Sequence, residues 1–455
     1  MTIGIAADEN ARFAPETNGE YKGYRITYFD TKYFALPIGA GIFEIARFRN
    51  NEYADVIIAH TLDEARREID LAAQLRLKPG SGASTNAARC EKALLLGLLP
   101  REALESLIER LKTEYDLTLL TTQGSSIVPC GFAVIKYHSA SASRLKSLDL
   151  AAMPDEFMDK LKGFDAVICP YDNAEFWVDS HAERRASQLT NRYVIVHLDG
   201  SKRLYKGEEV HRILYNKSYL NSMFRYVPRL RGKRILEVGC SDGLVCDLLL
   251  NEDPEAVTGV DLLETTGCSY PDPRIRYLRM DGCALEFPNA SFDLTLSIAT
   301  LEHCKDPFKV LSEMKRVTKK GGYCYVQAGP LYLSPFGHHM FGYYDDFPWI
   351  HLRMSKEEII AYSERNGIGA AIMKNLNVGA DQYVNAMINQ GHVNGLKLSD
   401  YRLSEFMRSE DCLFIQYIPS FEGKDLLTEE ISKELAHLPP QDLIAHGFEL
   451  LFQVK

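Results

Sequence analysis

Residues 234–243 read Arg-Ile-Leu-Glu-Val-Gly-Cys-Ser-Asp-Gly. Ile235, Leu236 and Val238 form a short apolar run that suits a buried parallel strand. Gly239, Ser241 and Gly243 then interrupt it with small residues, and residues 244–250 resume an apolar pattern at helical spacing. A strand, a glycine turn and a helix let backbone approach a nucleotide closely. About twenty residues further on, Val257-Thr-Gly-Val-Asp261 reads as a second strand that ends in an acid. A carboxylate at that place can accept both hydroxyls of a ribose. A third strand, Ile275-Arg-Tyr-Leu278, leads to Asp281-Gly282, where an acid can meet an adenine amino group.

The chain then continues in a particular order. Ser291-Phe-Asp-Leu-Thr-Leu-Ser297 reads as a fourth strand, followed by Leu301-Glu-His303 and Asp306-Pro307. Arg316-Val-Thr-Lys-Lys-Gly-Gly322 precedes a fifth strand at Tyr323-Cys-Tyr-Val326. This succession, over roughly 215–370, resembles the class I methyltransferases dependent on S-adenosyl-L-methionine, specifically their type 11-like domains. The resemblance implies an α/β fold with a Rossmann-like, seven-stranded sheet. It implies a cofactor site built from Glu237, Gly239, Ser241, Gly243, Asp261 and Asp281, with Cys240, Leu262, Gly282 and Ile298 beside them. One position departs from the pattern: the family's first loop usually carries glycine at the place of Ser241, and serine adds a Cβ where backbone approach counts.

The same stretch, Gly239-Cys-Ser-Asp-Gly243, also fits G-x-S-x-G, the nucleophile turn of an α/β hydrolase. Asp261 closing the next strand and Asp281 following the third suit a nucleotide site and serve no hydrolase. The Lys-Gly-Gly run before the fifth strand points the same way.

Composition bounds the rest. A chain of 455 residues should hold two or three domains. Its 46% hydrophobic and 25% charged residues are ordinary for a globular protein. A formal net charge of −10 argues against a general nucleic-acid binder. Arg225, Arg229, Arg231, Lys233 and Arg234 form the densest basic run, and a solvated face accounts for it. The ten cysteines are scattered without a Cys-x-x-Cys pair and read as reduced thiols of a cytoplasmic protein. The start of the chain lacks a basic-then-apolar leader pattern. Ala93-Leu-Leu-Leu-Gly-Leu-Leu99 is too short for a membrane span, which takes about twenty apolar residues.

Before the cofactor domain, three regions separate. Residues 1–80 read as a small α/β module. Tyr24-Arg-Ile-Thr-Tyr-Phe29 and Tyr33-Phe-Ala-Leu-Pro37 flank Asp30-Thr-Lys32 as a hairpin, Asp55-Val-Ile-Ile-Ala59 adds a strand, and Thr61-Leu-Asp-Glu64 opens a helix. The module resembles N-terminal additions on bacterial surface-carbohydrate enzymes. Lys78-Pro-Gly-Ser-Gly-Ala-Ser-Thr-Asn86 is a linker. Residues 90–203 read as a second, smaller Rossmann-like domain. It has a helix over 101–114 and strands at 116–121, 131–136, 165–170 and 193–197, but no glycine-rich nucleotide loop. Phe176, Trp177, Asp179 and His181 either line a pocket for a sugar or aromatic ligand or pack a helix. Residues 204–455 form the methyltransferase domain, with a helical cap near 380–445 and an antiparallel last strand at 447–454. A lead-in helix over 208–227 brings Tyr215 and Lys217 toward the cofactor, unless both simply pack.

Methyl transfer requires a nucleophile held about 3–3.5 Å from the methyl, in line and away from water. An oxygen nucleophile also gains from a base, and histidine suits that role near neutral pH. The aromatic and histidine-rich stretch 331–351 follows the fifth strand and should face the ligand crevice. His338 and His339 are therefore the first candidates for the base, with His303 beside the cofactor as a further one. His338, His339, Asp345, Asp346 and His351 match no recognised metal spacing, and no metal is expected. The acceptor implied is a small polar metabolite or a sugar-linked intermediate, methylated on oxygen or, as the nearest variant, on nitrogen. No nucleic-acid partner and no membrane span are expected, and the N-terminal region offers surface for a homo-oligomer. A non-catalytic cofactor-binding module with an N-terminal docking platform is the alternative.

Overall fold

The computed structural model describes residues 16–21, 24–29, 32–37, 57–59, 66, 91–97, 99, 101–122, 133–137, 159–171, 187, 190, 192–198 and 200–455 apart from 390–391. The linker at 78–86, the helix opened at Thr61 and the 176–181 cluster fall outside the described residues. Among the described residues, three sheets organise the chain.

The first is antiparallel: β1 (Glu16–Tyr21), β2 (Tyr24–Phe29), β3 (Lys32–Pro37) and β4 (Ile57–Ala59). β2 and β3 form the expected hairpin, with Phe29 opposite Lys32.

The second holds β5 (Glu91–Leu96), β6 (Tyr115–Thr122), β7 (Ala133–Tyr137), β8 (Ala166–Pro170), β9 (Arg192–Val196) and β10 (Lys202–Lys206), in the order β10-β9-β8-β5-β6-β7. β5 to β9 are parallel and β10 runs antiparallel on β9. Crossing from β7 to β9 gives the 3-2-1-4-5 order of a doubly wound fold. The apolar run at 93–99 supplies its central strand, and the helix Arg101–Leu111 lays Leu104, Leu107, Ile108 and Leu111 on it.

The third sheet holds β11 (Arg234–Val238), β12 (Ala256–Asp261), β13 (Ile275–Arg279), β14 (Phe292–Ile298), β15 (Thr318–Ala328), β16 (Cys412–Phe421) and β17 (Ala445–Val454). Its order is β13-β12-β11-β14-β15-β17-β16, seven strands with β17 antiparallel to both neighbours. This is the Rossmann-like methyltransferase arrangement. β11 is buried from Ile235 to Val238 because helices cover both faces. The order reverses between β11 and β14, which opens a crevice at their carboxyl ends.

The second and third sheets share one apolar core through the helix Glu208–Phe224, which contributes Ile213, Leu214, Leu220 and Met223. Polar ties cross the same junction. Tyr205 donates to Asp247 Oδ2 at 2.7 Å, and Lys217 Nζ donates to Tyr193 Oη at 3.0 Å. Lys217 is therefore not a cofactor contact: its helix turns it into the junction, where it is fully buried.

After β15, residues 331–349 run in turns and lead into the helices Ile350–Arg353, Lys356–Arg365, Ile368–Leu376 and Ala380–Met387. Ser355 starts the second of these with a capping box: it accepts from Glu358 N at 3.2 Å, and Glu358 accepts from Ser355 N at 2.8 Å. The expected helical cap at 380–445 needs correction, because β16 lies inside it as the edge strand of the third sheet. Among the described residues no helix is long and apolar enough to cross a membrane.

Candidate active site

A cavity of about 740 Å³ opens at the crevice between β11 and β14. Four segments supply most of its walls, and Glu422 and His446, beside β16 and on β17, complete them. The loop after β11 supplies Gly239, Cys240, Ser241 and Asp242, and the loop after β14 supplies Ala299, Glu302 and His303. The helix Glu208–Phe224 supplies Arg212, Tyr215 and Tyr219, and the turns after β15 supply Pro330, His339 and Phe341.

The two loops touch. Gly239 has φ +81°, and a Cβ there would lie 2.1 Å from the Thr300 side chain, so only glycine fits. Thr300 Oγ1 in turn donates to Gly239 O at 3.2 Å. Gly243, at φ +96°, lies under the Tyr277 ring, where a Cβ would come within 2.2 Å of the hydroxyl. Ser241 stands at φ 46°, the left-handed region that glycine fills most easily. Its N–H donates to Asp261 Oδ2 at 2.8 Å, and Asp261 Oδ1 accepts from Leu263 N at 3.1 Å. Asp261 thus braces the loop and keeps further lone pairs on both oxygens. Arg212 braces it from the other side with a bidentate pair to Asp242, at 2.7 and 2.8 Å. That arginine carries no motif and was invisible in the sequence.

Glu237 closes β11 beneath the loop. It is almost fully buried, and Cys246 Sγ donates to its Oε2 at 2.9 Å. Burial pushes its pKa up to about 8, against the pull of that hydrogen bond. Ile298, at the end of β14, also lines the cavity. Leu262 is 62% exposed beside Asp261, an uncovered apolar side chain of the kind that accepts a flat ring. Asp281 is exposed and accepts from Cys283 N at 2.8 Å, which holds the turn after β13. Gly282 packs on Val238, where a Cβ would sit 2.8 Å from Cγ1. Asp261, Leu262, Asp281, Gly282 and Gly243 do not line this cavity.

The histidines divide. His339 and His303 reach the cavity, with ring centroids 5.0 Å apart. His338 does not. Its backbone turns the ring into a buried cluster with His351 and Tyr344, and its Nδ1 accepts from Met340 N at 2.9 Å. Burial lowers the His338 pKa to about 3, so the expected base is a packing residue. Burial lowers His339 to about 4, with the Pro330 carbonyl pulling it back, and lowers His303 below the usual histidine range. His339 is therefore too weak a base to hold a proton near neutral pH. Much of the aromatic stretch is core: Met340, Tyr344 and Ile350 pack with Ile359 and Val384.

The group that sequence reasoning passed over is Glu302, between the noted Leu301 and His303. It is 1% exposed and lines the cavity, and no side chain among the described residues bonds its carboxylate, which faces the backbone of Glu302 itself and of Gly329. Burial pushes its pKa up to about 8. The exposed Tyr215 and the half-buried Tyr219 line the same space, joined by a 2.9 Å hydroxyl bond. A ready cue lay in the sequence, an acid between two residues of a noted motif, but its burial did not.

Comparison with known proteins bears on the same residues. Residues 236–326 match the methyltransferase domain family. The ubiquinone biosynthesis O-methyltransferase of Paracidovorax citrulli is 33% identical over 105 residues, which cover 21% of this chain and 43% of that protein. An uncharacterized methyltransferase of Mycobacterium tuberculosis is 36% identical over 92 residues, 19% of this chain and 46% of that one. The chain thus spans less than half the length of these relatives. An S-adenosylmethionine-dependent methyltransferase structure from Mesorhizobium loti covers 51% of this chain and 95% of its own, at 17% identity and a TM-score of 0.32.

Proposed function

We propose that this protein transfers a methyl group from S-adenosyl-L-methionine to an oxygen of a small polar or sugar-linked acceptor. One observation carries the reading. The glycine loop after β11 and Asp261 at the end of β12 are tied together at the strand-order switch, inside the span that matches the methyltransferase domain.

The residues present fit the cofactor. Glycine at 239 and 243 keeps the loop free of side chains, Asp261 has lone pairs left for ribose hydroxyls, and Leu262 lies uncovered for the adenine. Bound there, the cofactor supplies a methyl group on a sulfonium, already a strong electrophile. The protein's own residues then hold the acceptor and receive its proton. Glu302 is the proposed base: an oxygen acceptor must lose one proton as its bond to carbon forms, and the ionised form of an acid with a pKa near 8, a minor fraction at pH 7 that grows above it, accepts that proton. Tyr215 and Tyr219 supply hydroxyls for orienting a polar acceptor. His303 and His339, kept neutral by burial, act as hydrogen-bonding walls.

A buried carboxylate without a cationic or side-chain partner costs stability. It favours an enzyme over a passive cofactor-binding module, since a module has no use for it. The test is calorimetric titration with S-adenosylhomocysteine, followed by methyl-labelled cofactor and a panel of nucleotide sugars, glycosides and phenols. Product binding in the micromolar range and label transfer to an oxygen are expected. Absence of any S-adenosylhomocysteine binding would overturn the reading.

A further inference from the structure

We infer a divalent transition-metal site formed by His303, His339 and His392, with its open side toward the cavity. One ring nitrogen of each lies within 4.8 Å of those of the other two. The ring centroids stand 5.0, 5.1 and 6.0 Å apart in the three pairs.

Three histidines can also meet in an ordinary core, so the hydrogen bonds decide. A histidine that binds a metal donates its other ring N–H, most often to a carboxylate or a backbone carbonyl, which fixes the tautomer. Two of the three are held in that way. His339 Nε2 bonds the Pro330 carbonyl at 2.9 Å, and His303 Nδ1 bonds the carbonyl of His392. The tautomers so fixed leave a lone pair on Nδ1 of His339 and on Nε2 of His303. His392 Nε2 is buried and has no hydrogen-bond partner. An imidazole nitrogen in that position lacks something to bond.

The frame is also stiff. The segment that carries His392 is clamped to the loop that carries His303. Asn394 N donates to Glu302 O at 2.8 Å, and Asn394 Nδ2 donates to Leu301 O at 2.8 Å and Cys304 O at 2.9 Å. Zinc–nitrogen bonds of about 2.0–2.1 Å at tetrahedral angles put neighbouring nitrogens a little over 3 Å apart. Each nitrogen pair would therefore close by up to about 1.5 Å on binding, a shift of about 0.8 Å or less for each side chain. Carboxylates are absent from the donor set, which suits Zn²⁺ or Co²⁺ over Mg²⁺.

Three protein ligands leave a fourth position, the pattern of a catalytic site. Its use here rests on the methyltransferase reading. An acceptor hydroxyl bound at the ion loses its proton more readily. The O–H bond breaks, the electron pair stays on oxygen, and the proton passes to Glu302 on the same cavity wall.

The full chain, stripped with a chelator, would be titrated with Co²⁺ by visible absorption and with Zn²⁺ by calorimetry. One ion per chain is expected, with d–d bands of nitrogen ligation. His392→Ala and His303→Gln should each weaken binding at least 100-fold, while His437→Ala, an exposed site, should match the wild type. A wild-type chain that takes up no stoichiometric ion overturns the site, as does equal loss in all three variants. S-adenosylhomocysteine titration of the same samples separates the two ideas. Product binding without metal binding overturns the metal site alone. Metal binding without product binding overturns the methyltransferase reading alone.

Discussion

Asp261 Oδ2 accepts the Ser241 N–H at 2.8 Å, so the acid that ends the second strand of the sheet also holds the loop that ends the first. One carboxylate therefore serves the loop and the proposed ribose site. Hydrogen bonds to a charged group contribute about 1.5–3 kcal/mol each. Asp261→Ala should weaken S-adenosylhomocysteine binding by at least about 10-fold, and by about 100-fold if both hydroxyls bind. Asp261→Asn should fall between, since an amide oxygen can still take one of the two backbone donors. Affinity of the alanine variant within two-fold of wild type, by calorimetry, would remove Asp261 from the cofactor site.

Ser241 sits at φ 46°, where the usual residue of such loops is glycine. A left-handed conformation costs an ordinary L-residue roughly 1–2 kcal/mol, and glycine loses about 0.5–1 kcal/mol of that advantage through its freer unfolded chain. Ser241→Gly should leave the melting temperature unchanged or raise it by a few degrees, with cofactor affinity retained. A hydrolase built on the G-x-S-x-G pattern makes the opposite forecast, because its serine is the nucleophile. Ester hydrolysis by the wild type that disappears in this variant would decide for the hydrolase.

Glu302 has its pKa raised to about 8, so near pH 7 most of it is protonated in the empty site and cannot accept a proton. On the proposed mechanism, kcat/KM should climb with pH through about 8 and level off above it. Glu302→Gln should reduce turnover by about 100-fold or more while leaving product affinity nearly intact. A variant that keeps the wild-type rate and pH profile would show that the proton goes elsewhere. His339→Ala is the companion measurement: burial has made that imidazole a poor base, so a loss of turnover in this variant should follow loss of the bound ion and leave the Glu302 pH profile in place.

The order in which these features became visible has a physical basis. Strand, glycine turn and terminal acid are local patterns, so β11, β12 and their loop could be read from residue spacing. β16 escaped because Cys412–Phe421 carries Pro419, and proline in a strand is tolerated at an edge, which is where β16 lies. His338 and His339 are adjacent in sequence but point to different places, because His339 takes a positive φ of 57°. No spacing rule could separate them. Glu302 and the partnership of His303, His339 and His392 depend on burial and on three distant segments meeting, which only the folded chain reveals.

Lys217 illustrates the same gap and yields its own forecast. It lies on the helix that walls the cavity, yet its ammonium is fully buried on the Tyr193 hydroxyl, at the junction of two sheets. Lys217→Met keeps most of the volume and removes the buried charge. Removing one partner of a buried polar contact costs the other its bond, here the Tyr193 hydroxyl. Cofactor affinity should remain within two-fold, while the melting temperature should fall. A ten-fold loss of S-adenosylhomocysteine affinity in a folded variant would return Lys217 to the cofactor site.

The buried carboxylate of Glu302 should also be readable in the stability of the protein without ligand. Its folded pKa, about 8, exceeds the ordinary value of 4.5 that applies in the unfolded chain. Between those values the folded form holds a proton that the unfolded form has released. Stability therefore falls as pH rises through that window, and the loss is complete only above about 8. Glu302→Gln removes the titration and keeps the shape. Its advantage over wild type should be small near pH 5 and should grow toward pH 8.5, where the wild type must bury a charge. Chemical denaturation of both proteins at the two pH values measures the difference directly. An advantage that is equal at both, or larger at the lower pH, would mean that Glu302 is already ionised and satisfied in the folded protein, and its assignment as the base would fall with it.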